Sequence, residues 1–218
     1  MKHLIIIGAR GYGRGVCDIA RLMKNFDNEF DIKGFLDDKM DALDMYVGYP
    51  PIIGAVESYE IQEDDVFVCA LGDVNYKRKY VELILKKGGN FMNIIHPSVH
   101  IGSNLKIGQG CVIAYGSFID SDVQIGDFVN IQACVVVGHD SKIGDWTILD
   151  CHTFIGGFAM IGKSATIHTG AKILPKIIVG DCSTANAGSI VIRNVKKDSV
   201  VMGNPAREMI IPKNNNHD

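Results

Sequence analysis

The sequence predicts two architectures in series: a small open parallel α/β sheet, then a parallel β-helix. Three observations predict this. An aliphatic residue recurs every six positions through the second half, glycines follow it at a fixed phase, and apolar runs alternate with helix-periodic segments before it. The beat runs through Ile95, Ile101, Ile107, Ile113, Ile119, Ile125, Ile131, Val137, Ile143, Leu149, Ile155, Ile161, Ile167, Ile173 and Val179 without an insertion. The next residue is glycine at Gly102, Gly108, Gly126, Gly138, Gly144, Gly156, Gly162 and Gly180. Four residues after the aliphatic stands a small or β-branched side chain, as at Val99, Ser117, Val129, Ser141, Thr147, Thr153, Ala159, Ala165, Ala171 and Ser183. A six-residue period is the signature of a parallel β-helix, whose coils bury their apolar faces only by stacking. Each hexad supplies one short strand and one turn, so three make a triangular coil. The aliphatic and the small residue point inward.

The preceding segment has a different rhythm. Lys2 to Ile7 reads as a buried first strand ending at Gly8. Gly13 to Lys24 has helical spacing through Val16, Ile19, Ala20, Leu22 and Met23. Phe30 to Asp38 is a second strand ending in Asp37-Asp38, and Asp65 to Leu71 is a third ending at Gly72-Asp73. Tyr76 to Lys87 is a second helix, with Tyr80, Leu83 and Ile84 inside and Lys77, Arg78, Lys79, Lys86 and Lys87 outside. Phe91 to Ile95 is a further strand leading into the hexads. Strand and helix in alternation imply a parallel, Rossmann-like sheet, whose ligands bind beyond the carboxyl ends of its strands. The turn Gly8 to Gly13, Asp37-Asp38 and Gly72-Asp73 gather there. The expected division is residues 1–94 for the sheet domain, 95–207 for the β-helix and 208–218 for a tail, its end from Lys213 disordered.

The glycine turn reads G-x-x-G-x-G rather than the dinucleotide fingerprint G-x-G-x-x-G. A glycine-rich turn before a helix still offers backbone N–H groups and a dipole to phosphate. Asp37 also lies well beyond the roughly 20 residues at which the fingerprint's acidic partner is expected. A nicotinamide-dependent oxidoreductase is therefore disfavoured.

Composition narrows the field. The 218 residues are 47% hydrophobic and 22% charged, with a formal net charge of −3, ordinary values for a globular protein. A basic patch typical of nucleic-acid binders is not indicated. No apolar run reaches the length of a membrane span, and the start is too short for a signal peptide. The six cysteines are scattered without CxxC spacing. All are read as reduced, with Cys111, Cys134, Cys151 and Cys182 packing as small apolar groups in the coils, and the chain as cytoplasmic.

Few coil positions carry residues capable of chemistry. His139-Asp140 is the exception, at the outward third and fourth positions of its hexad. An imidazole titrates near neutrality and can take a proton from an attacking amine or hydroxyl. A neighbouring carboxylate favours the accepting tautomer and stabilises the imidazolium. The alternative is a surface pair with no task. His152 and His168 have no companion at metal-ligand spacing, so no metal site is expected. His96 and His100 receive no role.

Taken together, the chain resembles the hexapeptide-repeat acyltransferases of the sialic acid O-acetyltransferase and nucleotide-aminosugar N-acetyltransferase group. The resemblance rests on Ile5 to Gly13, on Gly34-Phe35-Leu36-Asp37-Asp38, on Ile95-His96-Pro97-Ser98-Val99, on Gly138-His139-Asp140 and on Gly203-Asn204-Pro205-Ala206-Arg207. It implies a left-handed β-helix, a homotrimer, and acetyl-CoA as donor along the coils between subunits. It implies His139 as catalytic base with Asp140 beside it. Arg10, Gly11, Tyr12, Asp37, Asp38 and Gly72 would hold a nucleotide-sugar, and Gly157, Thr169 and Ala187 would line the acetyl-CoA groove. The implied activity is N-acetylation of a nucleotide-linked amino sugar in surface-glycan biosynthesis, with sugar O-acetylation the nearest alternative. A non-catalytic trimeric scaffold is the competing class. Two departures stand out: Ile148 occupies a place where some members carry a second histidine, and Leu149 to Phe154 replaces a small, glycine-rich stretch.

Overall fold

The computed structural model describes residues 1–209; the expected tail lies almost wholly outside them. The amino-terminal sheet contains β1 (Lys2–Ile7), β2 (Phe30–Leu36), β3 (Ile52–Gly54), β4 (Asp65–Cys69) and β5 (Asn90–Phe91). Its order is β3-β2-β1-β4-β5 with every neighbouring pair parallel. The connections diverge between β1 and β4, which makes a crevice at their carboxyl ends.

Several boundaries differ from the sequence reading. Helix α1 (Gly11–Leu22) begins two residues before Gly13, so Gly11 and Gly13 lie in its first turn instead of in a loop. The turn itself is made at Gly8, whose φ is +97°. A Cβ on Gly13 would collide with the Gly8 carbonyl, so that glycine serves close helix–strand packing. Helix α2 (Val74–Lys86) starts earlier than Tyr76 because Asp73 caps it, accepting from Asn75 N at 2.8 Å and Tyr76 N at 3.0 Å. Strand β3 is too short to show a period of its own. Phe91 to Ile95 is two short strands, the second of which (Ile94–Ile95) belongs to the solenoid.

From there the chain coils as a left-handed parallel β-helix with three faces. The first face stacks Ile94–Ile95, Val112–Ile113, Asn130–Ile131, Ile148–Leu149, Thr166–Ile167 and Thr184–Ala185. The second stacks His100–Ile101, Phe118–Ile119, Val136–Val137, Phe154–Ile155, Lys172–Ile173 and Ile190–Val191. The third stacks Lys106–Ile107, Gln124–Ile125, Lys142–Ile143, Met160–Ile161 and Ile178–Val179. Residues eighteen apart pair in register, such as Phe118 with Val136. The inward aliphatics from Ile113 to Val179 form one continuous core. Buried hydroxyls in the small-residue column reach carbonyls of the next coil: Ser117 to Gln132 O, Ser141 to Gly156 O and Thr147 to Gly162 O, at 2.8–3.0 Å. Those bonds satisfy these three hydroxyls, while Thr153 and Ser189 in the same column are buried without a partner.

Two kinds of position define the turns. Where a glycine follows the aliphatic, it leaves room for the backbone of the following coil; a Cβ on Gly102 would lie 2.6 Å from Asp120 C. The third residue after the aliphatic adopts a left-handed conformation, usually without being glycine, as at Asp122, Cys134, Asp140 and Phe158. The beat also continues beyond Val179, through Ala185 and Val191. The last coil is then shortened, pairing Val179 with Val195 and Thr184 with Val200, before an antiparallel hairpin of Val200–Gly203 with Ala206–Glu208. Of the solenoid cysteines only Cys111 is buried; Cys134 and Cys151 are half-buried and Cys182 is exposed.

The α/β sheet sits on the amino-terminal part of the first face. Ile94 and Val112 join the core beneath α1, and Phe128 joins that beneath α2. Phe128 stacks on Trp146 at 4.5 Å and meets Phe91 edge-on at 5.1 Å. Lys77, expected outside, is buried instead: its ammonium donates to Phe128 O at 2.6 Å and Asn130 Oδ1 at 2.8 Å, tying α2 to the coils. Burial pushes its pKa down to about 8. Helical phase alone did not reveal that a second structural unit covers this side of α2.

Candidate active site

Two places gather the residues singled out in the sequence. The first is a cleft of about 720 Å³ at the carboxyl ends of β1, β2 and β4, lined by Arg10, Tyr12, Asp37, Asp38, Gly72 and Tyr76 among others. Gly8 ends β1 there, and Arg10 is the N-cap of α1 without a side-chain capping bond. The first turn of α1 contains no acidic residue, so its free N–H groups and the Arg10 guanidinium present positive charge to the cleft. The α2 N-terminus is different, since Asp73 already occupies it.

Asp37 and Asp38 have separate neighbours. Asp37 accepts from Ala9 N at 2.8 Å through one oxygen and from Lys39 N at 2.9 Å through the other, fixing the glycine turn. Asp38 Oδ2 accepts from Tyr80 OH at 2.6 Å. That hydrogen bond, with burial, holds the Tyr80 phenol well above its ordinary pKa. The Tyr12 hydroxyl is buried without a protein partner, and burial likewise raises its pKa. A Cβ at Gly11 or Gly72 would touch no protein atom, so packing does not demand glycine at either place. Gly11 alone among the six does not line the cleft.

The second place is the corner between the second and third faces. His139 Nδ1 lies 2.8 Å from Asp140 Oδ2, and both side chains are about half exposed. Asp140 reaches that position through its left-handed backbone, φ +58°, the repeated turn conformation of the coil. Phe158 stands edge-on to the His139 ring at 5.1 Å. Gly157, one coil above, lies against the ring: a Cβ there would be 2.8 Å from Nε2. With a carboxylate at Nδ1, the neutral imidazole carries its hydrogen on Nδ1 and leaves Nε2 free to accept a proton.

Gly157 is therefore a neighbour of His139, while Thr169 and Ala187 stack one coil apart at the other corner, between the first and second faces. One chain does not bring these three together. The sequence reading missed Phe158 and Tyr80. It also missed a second imidazole–carboxylate pair, His168 Nδ1 to Asp150 Oδ2 at 2.8 Å. Its signal was the eighteen-residue separation, one coil. Among the described residues no cluster of His, Cys, Asp and Glu is arranged to hold a metal ion. No helix among them is long and apolar enough to cross a membrane.

Comparison with known proteins agrees with both halves. Residues 3–84 match the PglD N-terminal domain family. The acetyltransferase domain of PglB from Neisseria gonorrhoeae superposes with a TM-score of 0.87 at 26% identity, covering 96% of this chain and 100% of that one. Perosamine N-acetyltransferase from Caulobacter crescentus, solved as a point mutant with CoA and GDP-perosamine, shares the fold at a TM-score of 0.85 and 23% identity, covering 97% and 98%. Among curated sequences, UDP-N-acetylbacillosamine N-acetyltransferase of Bacillus subtilis is 30% identical over 117 residues, 52% of this chain and 51% of that protein. Serine acetyltransferase of Bacillus subtilis is 32% identical over 139 residues, 62% and 58%. The chain spans about half the length of the curated relatives it matches. Its fold and its coil motifs are similar to those of the hexapeptide-repeat, left-handed β-helix acetyltransferases, and residues 3–84 carry the PglD N-terminal domain.

Proposed function

We propose that this chain is an acetyl-CoA-dependent N-acetyltransferase acting on a nucleotide-linked amino sugar. The observation that carries the reading is the end-to-end likeness to the PglB acetyltransferase domain, which spans the cleft and the His139 corner alike. Residues 1–94 take the acceptor, and 95–207 supply the donor groove and the catalytic pair. The α1 N-terminus and Arg10 suit the diphosphate of a nucleotide-sugar. Asp37, Asp38, Tyr12 and Gly72 shape the rest of its pocket, and Gly11 takes part only through its place in the first turn of α1.

His139 Nε2 takes the proton as the sugar amine adds to the thioester carbonyl. Asp140 keeps Nδ1 protonated and offsets the imidazolium charge. Collapse of the tetrahedral intermediate expels the CoA thiolate, which receives that proton. Backbone N–H groups of the coils steady the oxyanion.

The assembly is a homotrimer in the cytoplasm, packed through the second face. That face and its edges expose Phe118, Phe154, Phe158 and Leu174, with Val136 half-buried, whereas the third presents Lys106, Gln124 and Lys142 before its exposed Met160 and Ile178. A three-fold contact through one face is head-to-tail, so the two edges of that face meet on neighbouring protomers. Gly157 of one protomer then approaches the corner bearing Thr169 and Ala187 on the next, completing an acetyl-CoA groove. Incubation with acetyl-CoA and a panel of nucleotide-sugars, read by thiol release, tests the reading. Release only with 4-amino or other amino-sugar nucleotides is expected; release with none of them would refute it.

A further inference from the structure

The reading above leaves His168 and Asp150 without a task. Their contact repeats the geometry of His139 and Asp140, Nδ1 to a carboxylate oxygen at 2.8 Å, but joins residues one coil apart. The His168 side chain is 41% exposed, so its ring edge is open to solvent. Both backbones are pinned by the stack, Asp150 N to Ile167 O at 2.8 Å and His168 N to Ala185 O at 2.9 Å. The pair stands at the corner between the first and second faces, beside Thr169. The His139 pair stands at the opposite edge of the same second face.

We propose that His168, held by Asp150, is a donor-binding residue that each protomer lends to the His139 of its neighbour. The inference rests on the trimeric acetyl-CoA reading. In a head-to-tail three-fold contact the two edges meet at equal heights along the coil axis. Coils rise by about 4.8 Å each, which sets His168 roughly 8 Å carboxyl-terminal of His139. That is the stretch a pantetheine arm covers when its thioester is at His139. The Asp150 carboxylate accepts from Nδ1–H, so Nε2 presents a lone pair. Its partner is a pantetheine amide N–H.

Full-length His168→Ala should raise the acetyl-CoA KM about tenfold, with kcat and the acceptor KM within about twofold, since one hydrogen bond that excludes water is worth that much. His168→Gln, which keeps an acceptor atom, should recover part of the loss. Differently tagged His139→Ala and His168→Ala chains are then co-expressed, and the mixed trimers assayed at acetyl-CoA well below KM. Every mixed trimer contains one site with both histidines intact if they come from different chains. Turnover of roughly a third of wild type, above the mean of the two parents, is expected. Turnover equal to that mean, or an unchanged acetyl-CoA KM in both His168 variants, would overturn the proposal. A wild-type chain that is monomeric or releases no thiol would instead overturn the reading beneath it.

Discussion

Gly157 lies against the imidazole of His139, where a Cβ would stand 2.8 Å from Nε2, 3.0 Å from Cε1 and 3.2 Å from Cδ2. The glycine is thus part of how the ring is placed. Gly157→Ala should tilt the imidazole and lower kcat by about a hundredfold, the scale of a 1 Å misplacement, and should also raise the acetyl-CoA KM because Gly157 lines the proposed donor groove. Initial rates over both substrates check this. An unchanged kcat would mean that the ring position does not matter.

His139→Ala should lower turnover by about 10²–10⁴-fold, the usual worth of a positioned proton acceptor. The side chain is outside the core, so melting temperature should stay close to wild type. Asp140→Asn should lose less, because an amide still contacts Nδ1 but does not offset the imidazolium charge. Near wild-type turnover in a folded His139→Ala protein would remove the catalytic assignment.

How much of this was legible in sequence differs by element. The solenoid was readable because its period is local: Ile113 and Ile131 repeat the same environment one coil apart, and a hexad needs no distant partner to be recognised. The beat became unreadable past Val179 because Ala185 is small and the last coil is two residues shorter at Val195. Lys77 was misplaced for a physical reason. Helical phase assigned it to solvent, but Phe128 and Asn130, far along the chain, bury it. His139 with Asp140 was visible as adjacent residues. His168 with Asp150 needed the coil geometry before it could be seen as a pair.

The aspartates of the cleft should separate in their effects. Asp38→Ala should raise the acceptor KM roughly tenfold or more through loss of charged hydrogen bonds, leaving acetyl-CoA KM unchanged. Asp37→Ala should do the same and also lower the melting temperature, because Ala9 N and Lys39 N lose their acceptor. Acceptor KM unmoved in both variants would place the acceptor elsewhere.

The pH dependence of stability should report Lys77. Its folded pKa, near 8, is below the ordinary lysine value of 10.5. Between those values the unfolded chain binds the extra proton, so stability rises with pH through that window on account of this group. Denaturant titrations of wild type and Lys77→Met at pH 7 and pH 10 isolate it, since other titrations are common to both. Wild type should gain on the variant at the higher pH. A constant difference would show the ammonium to be no worse placed in the fold than in water.

Trimer packing through the second face makes a further prediction. Phe118→Asp combined with Phe154→Asp should give a folded monomer by light scattering, with turnover lost because neither corner meets its partner. Wild type that is itself monomeric at micromolar concentration would contradict the face assignment.

Acetyl transfer to nitrogen is tested most directly by mass. Wild-type protein, isotope-labelled acetyl-CoA and an amino-sugar nucleotide are incubated, and the recovered nucleotide is weighed before and after hydroxylamine, which cleaves esters but spares amides. One labelled acetyl group retained through hydroxylamine, and missing in the His139→Ala reaction, is the expected result. No labelled nucleotide-sugar, or a label that hydroxylamine removes, would contradict it.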